Sequence, residues 1–133
     1  MKSNNTPSAI ALSRQKVPYI NPKNSKENKS EKGAYVVNIT SHESNVTLVA
    51  SGTEVELALK VQVKLKENNI HSKVVSMPCM ELFDKQPENY RKDVLEENSL
   101  IVTLEAGNIM SWQKYINHNG CLLYTSDAAD AAL

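Results

Sequence analysis

Apolar and polar positions change period twice between residues 46 and 77. Val46–Ala50 (VTLVA) is a short, β-branched apolar run, and Ser51-Gly52 breaks it. From Val55 onward the apolar residues recur at helical spacing, with Leu57, Ala58, Val61 and Leu65 on one side and Val55, Leu59 and Val63 on another. Thr53-Glu54-Val55-Glu56 has the T-x-x-E form of a capping box, so the helix is expected to start there and to run to about Glu67. Asn68-Asn69 suits its C-terminus, because Asn tolerates left-handed backbone. Lys73–Met77 is a second apolar strand, closed by Pro78. The whole is a βαβ unit whose two strands should lie parallel through a right-handed crossover. A helix apolar on two sides is covered either by more of its own domain or by a partner subunit, and the pattern leaves both open.

The flanking pattern extends the sheet. Ala34–Ile39 reads as a strand, and the short Ser41–Asn45 turn suggests an antiparallel, hairpin-like pairing with Val46–Ala50 at the sheet margin. Cys79–Gln86 reads as a loop and Pro87–Leu95 as a short helix, since proline suits a first helical turn. Ser99–Leu104 (SLIVTL) is another buried strand, followed by Glu105-Ala106-Gly107. Ile109–Ile116 is a helix able to turn Trp112, Tyr115 and Ile116 to a core. The expected fold is a three-layer α/β/α architecture: a mostly parallel open sheet of about five strands with one antiparallel margin strand. Ala9–Leu12 is a further short apolar run, an edge or orphan strand that presents Arg14 at its end.

Composition divides the rest. Residues 16–32 carry two prolines and five lysines (Lys16, Lys23, Lys26, Lys29, Lys32), with little to bury, and read as a linker. A basic arm for phosphates is the other reading, less favoured on composition. Residues 33–120 form the compact domain. Residues 121–133 (CLLYTSDAADAAL) change in character and are expected to be a tail not native to it. Lysine plus arginine and aspartate plus glutamate both number 15, so no net charge draws the chain to nucleic acid. No apolar run approaches the roughly 20 residues that span a bilayer. Cys79 and Cys121 have no metal-ligand spacing, which suits a reducing, cytoplasmic setting.

Candidate chemistry is sparse. Ser51-Gly52-Thr53 and Glu105-Ala106-Gly107 sit at strand-to-helix turns, the usual ligand positions of such sheets. G-x-G-x-x-G and P-loop patterns are absent, and Glu54 and Glu56 would repel a phosphate, so capping is favoured at the first turn. Glu105 reads as a base or partner contact, or as a locally paired turn residue. His42, His71 and His118 are far apart and read as surface residues, and Cys79 as a spectator thiol. Arg14 offers a planar fork to a phosphate or carboxylate; on the residues alone, a local salt bridge is the stronger reading.

The segments ALSRQ (residues 11–15), GAYVV (33–37), ASGTEVELA (50–58), VVSMP (74–78), ELFDKQ (81–86), Tyr90-Arg91, EAG (105–107) and Trp112 with Lys114-Tyr115 resemble transketolase in order and spacing, over about residues 6–120. The resemblance implies a homodimeric enzyme dependent on thiamine diphosphate and Mg2+ (or Ca2+). Such an enzyme moves a two-carbon ketol unit from a ketose phosphate to an aldose phosphate, in the pentose phosphate pathway of the cytoplasm or, in photosynthetic eukaryotes, in the plastid. Residues 1–15 would then be the tail end of the middle, pyrimidine-binding domain, 16–32 the linker and 33–120 a truncated C-terminal domain. The role of that domain in the family is structural and dimer-supporting. The family's LSRQ arginine binds the substrate phosphate, which implies that role for Arg14. The family's G-D-G motif and its cofactor-activating glutamate lie upstream and are not in these residues. Catalytic, cofactor and metal-binding residues are therefore not expected here, and the fragment alone is expected to be inactive. The rival reading is a free-standing, non-catalytic α/β binding or assembly module of the same fold.

Overall fold

The structure, a computed structural model, describes residues 27–107, 109–116 and 118–124, together with Asn5, Pro7, residues 9–12, Arg14, Lys16, Val17 and Ile20. A five-stranded mixed sheet is built from β1 (Tyr35–Ile39), β2 (Val46–Ala50), β3 (Ser72–Ser76), β4 (Leu100–Glu105) and β5 (Cys121–Tyr124), in the order β1-β3-β2-β4-β5. β2 lies parallel to β3 and β4, and β5 parallel to β4; β1 alone is antiparallel. Helix α1 (Glu54–Glu67) covers one face, where Leu48, Ala50, Val55, Ala58, Val74 and Leu104 form one buried cluster. Helices α2 (Met80–Asp84) and α3 (Glu88–Leu95) and the 3₁₀ turn Ile109–Tyr115 belong to the other face, where Phe83, Val94, Trp112 and Tyr115 join Val49, Val75 and Ile101. This is the expected three-layer architecture. β2 and β3 are bonded on both sides and covered on both faces, which is why Leu48-Val49-Ala50 and Val74-Val75 are apolar in succession rather than alternating with polar residues.

The antiparallel margin strand is present, but its partner is β3 and not β2. β2 is wholly apolar toward its C-terminal end and takes the central position between β3 and β4. The connection after β1 reaches it by wrapping the start of β3: Thr40 N donates to Ser72 O (3.0 Å), Ser72 N donates to Thr40 Oγ1 (2.8 Å) and Asn45 N donates to His71 O (2.9 Å). The turn that looked like a hairpin is thus a bridge over one strand position.

Three local expectations also change. Thr53 does not cap α1 with its side chain. It is already helical (φ −68°, ψ −28°), its hydroxyl bonds the Glu54 carboxylate, and Glu56 pairs with Lys60 at 2.8 Å instead of reaching back. Cys79–Gln86 is not a plain loop, because Met80–Asp84 forms a helical turn that buries Phe83. Ala9–Leu12 pairs with no strand among the described residues, and Ile10 and Leu12 are 66% and 85% exposed.

Asn69 ends α1 in left-handed backbone (φ 59°), as its sequence suggests. Of the second apolar side of α1, Val55 is buried but Val63 is 58% exposed. β5 falls within the segment read as a non-native tail; it adds an edge to β4, with Cys121, Leu123 and Tyr124 exposed and Leu122 half-buried. Residues 125–133 lie outside the described residues.

Candidate functional site

The chain reverses its winding between β2 and β4. The segment after β2 enters α1 on one face, while that after β4 enters the 3₁₀ turn on the opposite face. A crevice at the C-terminal ends of two such neighbouring strands is where open α/β sheets take ligands. Both turns singled out from the sequence converge here. Ser51 Oγ donates to Glu105 Oε2 (3.1 Å), and Gly107 N donates to Glu105 Oε1 (2.8 Å). Gly52 has φ 55°. Glu105 is therefore a locally paired carboxylate tying two turns together, the structural one of its two readings. Grooves of about 290 Å³ and 300 Å³ lie elsewhere, the first along Lys60, Val61, Lys64, Leu65 and Asn68, the second lined by residues including Lys32, Tyr35, Tyr90 and Asp93.

Arg14 is described in a bend and is exposed, and it makes no hydrogen bond or ion pair with another described residue. The local salt bridge that its sequence context favoured is thus not formed among them. His42, His71 and His118 are exposed. Cys79 Sγ lies 3.5 Å from Glu81 Oε2. Among the described residues no three His, Cys, Asp or Glu side chains converge as metal ligands. The described residues do not fit a divalent cation.

Two polar clusters escaped the sequence reading. Lys73, whose side chain is 8% exposed, pairs with Glu96 at 2.8 Å and donates to Asp93 O (2.9 Å); Glu96 Oε1 accepts from Ser44 N (2.9 Å). Burial pushes the Glu96 carboxyl up, but the bonds from Lys73 and Ser44 outweigh it and hold the group below the ordinary glutamate range. On the outer side of α2, Asp84 accepts from the Tyr115 hydroxyl (2.8 Å) and pairs with Lys114. Burial is the main reason why Tyr115 is pushed up to about 12, with the Asp84 bond adding to it. The first cluster ties α3 to β3, and the second ties α2 to the 3₁₀ turn. The only sequence signal for the first was a lysine inside an apolar strand.

Architecture and switch point define a doubly wound α/β domain. A sequence profile of the "Transketolase-like TK C-terminal domain" matches residues 33–127. The chain belongs to the transketolase C-terminal domain family. It is 41% identical over 116 residues to the transketolase of Rhodobacter capsulatus, covering 87% of this chain and 17% of that protein. It is 37% identical over 134 residues to that of Aquifex aeolicus, covering 99% of this chain and 19% of that protein. The chain thus spans about a fifth or less of the length of these relatives. Among solved structures, a Pichia stipitis transketolase mutant (H261F) superimposes with a TM-score of 0.72 at 31% identity, over 84% of this chain and 16% of its own. A transketolase complex with sedoheptulose-7-phosphate from the same organism gives 0.65 at 31% identity, over 72% of this chain and 14% of its own.

Proposed function

We propose that this chain is the C-terminal part of a transketolase that transfers a two-carbon ketol unit from a ketose phosphate to an aldose phosphate. The observation that carries the reading is the continuous family match over the sheet domain, preceded in the right order by the LSRQ segment. Thiamine diphosphate and its divalent cation would be held by parts of the enzyme outside these residues. The domain itself contributes a packed scaffold and supports the homodimer, and the exposed Val63 side of α1 is a surface suited to that support. No described helix is long and apolar enough to cross a membrane. We place the enzyme in the cytoplasm or a plastid; one curated relative, from Solanum tuberosum, is named chloroplastic. Residues 1–15 are read as the end of the middle domain, 16–32 as the linker, 33–120 as the family domain and 121–133 as a tail, of which 121–127 lie within the family match and 121–124 form β5.

In this reading Arg14 binds the substrate phosphate. It is exposed and uncommitted to any described side chain, and a guanidinium can make two parallel charge-assisted bonds to a phosphate. The test uses a complete transketolase whose corresponding region is replaced by residues 6–120. A charged hydrogen bond is worth about 1.5–3 kcal/mol, so Arg14→Ala should lower kcat/KM for phosphorylated sugars by about one to two powers of ten. Most of the loss should appear in KM, because the phosphate is remote from the reacting bond and is held in ground and transition state alike. Unphosphorylated acceptors should be unaffected. Equal losses on both substrate classes would make Arg14 a structural residue.

A further inference from the structure

Helix α3 carries an arginine whose charge the fold leaves unpaired. Arg91 is half-buried, and its Nε is shut off from solvent without an acceptor. Its side chain makes no hydrogen bond or ion pair with another described residue. A buried donor left unbonded costs the desolvation of that group, and native structures keep few of them.

The acids within its field are already taken. Burial pushes the Asp84 carboxyl up, but the bonds from Lys114 and Tyr115 outweigh it, and the charges of Lys114 and Arg91 add to them, so the group titrates below the ordinary aspartate range. Both Asp84 oxygens are engaged, Oδ1 by the Tyr115 hydroxyl (2.8 Å) and Oδ2 by Lys114. Glu88 is lowered chiefly by its bond from Lys92, whose Nζ lies 2.8 Å from Oε1, and only in lesser part by Arg91. Arg91 is thus near enough to both carboxylates to be felt and holds neither. It can turn outward without breaking a bond. A guanidinium offers two parallel donors that match a pair of oxygens on a carboxylate or phosphate, which an ammonium does not. We propose that Arg91 is an oxyanion receptor: it takes a pair of oxygens supplied from outside the described residues. Two sources carry that chemistry, a free phosphate group and a carboxylate on the part of the enzyme outside this chain. Only the second rests on the transketolase reading proposed above.

Arg91→Met removes the charge and keeps the apolar stem. In phosphate-free buffer it should leave the melting temperature of the 133-residue chain unchanged or slightly higher, because it breaks no pair and removes an orphan donor. A clear drop would make Arg91 an internal structural residue and overturn the proposal. Inorganic phosphate is then titrated into both proteins at constant ionic strength, so that screening does not vary. An anion at ten times its Kd raises the folding constant about eleven-fold, which moves the melting temperature of a domain this size by roughly 6–11 °C. A shift of that kind in the wild type, absent from Arg91→Met, assigns the receptor to free phosphate. The chimeric enzyme, melted without phosphate, tests the second source. There Arg91→Met should lower the melting temperature by a few degrees, and Arg91→Lys should recover only part of the loss. Either response supports the receptor and says where the oxygens come from. A chain indifferent to phosphate together with a chimera indifferent to Arg91→Met overturns it. A chimera without ketol transfer would defeat the transketolase reading by itself, since the phosphate titration of the chain is read independently of it.

Discussion

Gly33 is the point at which the linker enters the domain, and replacing it should cost more than any other glycine-to-alanine change in the fold. Its φ is +82°, where an L-residue carries about 1–2 kcal/mol of strain. A Cβ there would also lie 2.3 Å from Phe83 N, 2.4 Å from Cys79 O and 2.8 Å from Leu82 C. All three are backbone atoms of α2 or the residue before it, so relief requires the helical turn to move and not a side chain to rotate. Overpacking of this kind costs about 1–3 kcal/mol. Gly33→Ala should therefore destabilise by about 2–5 kcal/mol. Gly52 is the control: its φ is +55°, but an added Cβ meets nothing closer than a flexible Glu54 oxygen at 4.0 Å. Gly52→Ala should show the strain alone, about 1 kcal/mol. Guanidinium titrations of the chain, compared at constant m-value, give both numbers. If the two variants fell within about 0.5 kcal/mol of each other, well under the overpacking expected, the close docking of the linker end on α2 would be refuted.

Other outcomes follow from the same contacts. Glu96 titrates below its unfolded value, so its contribution to stability is present above the ordinary glutamate pKa and is lost as pH falls through the lowered one; Lys73→Met should flatten that acid limb of the stability–pH curve, and an unchanged limb would deny the pair its role. Tyr115 titrates above its unfolded value, so its contribution holds below about pH 10 and is lost as pH rises through about 12; ultraviolet titration should find one tyrosine ionising there, and Asp84→Asn should bring it down. Gln62 is buried, with its Nε2 on Ser72 O and its Oε1 accepting from Asn38, so Gln62→Ala should cost about 2–3 kcal/mol; under 1 kcal/mol would show that those bonds are replaced by water. Removing residues 121–133 deletes β5, which buries only Leu122 in part, and should lower the melting temperature by only a few degrees; collapse of the fold would show that the segment is integral to it.

The sequence was most legible where one physical cause dominated. Burial on both faces puts consecutive apolar residues in β2 (Leu48–Ala50), β3 (Val74-Val75) and β4 (Leu100–Val102), and the left-handed tolerance of asparagine ends α1 at the residue expected. It was least legible where neighbours in space decided. Whether β1 joins β2 or β3 depends on the demand of β2 for two parallel partners, a tertiary matter that a short turn cannot reveal. The capping box failed because the Thr53 backbone had already entered the helix. Met80–Asp84 is too short for periodicity to show, and the burial of its Phe83 in the core becomes visible only in the fold. Ser51 and Glu105 were each visible as turn residues, but nothing in the chain order joins them across the switch point. Arg14 carried its meaning through the resemblance alone. The structure adds that it is exposed.

The most direct test of the account is ketol transfer by the chimera in which residues 6–120 replace the corresponding region of a complete transketolase. A ketose phosphate serves as donor and an aldose phosphate as acceptor. The chimera should reach a kcat/KM within about ten-fold of the parent, a difference of about 1.4 kcal/mol in transition-state stabilisation. A chimera that folds and dimerises but transfers no ketol unit would contradict it, and would leave the chain a member of the fold family without a part in the reaction.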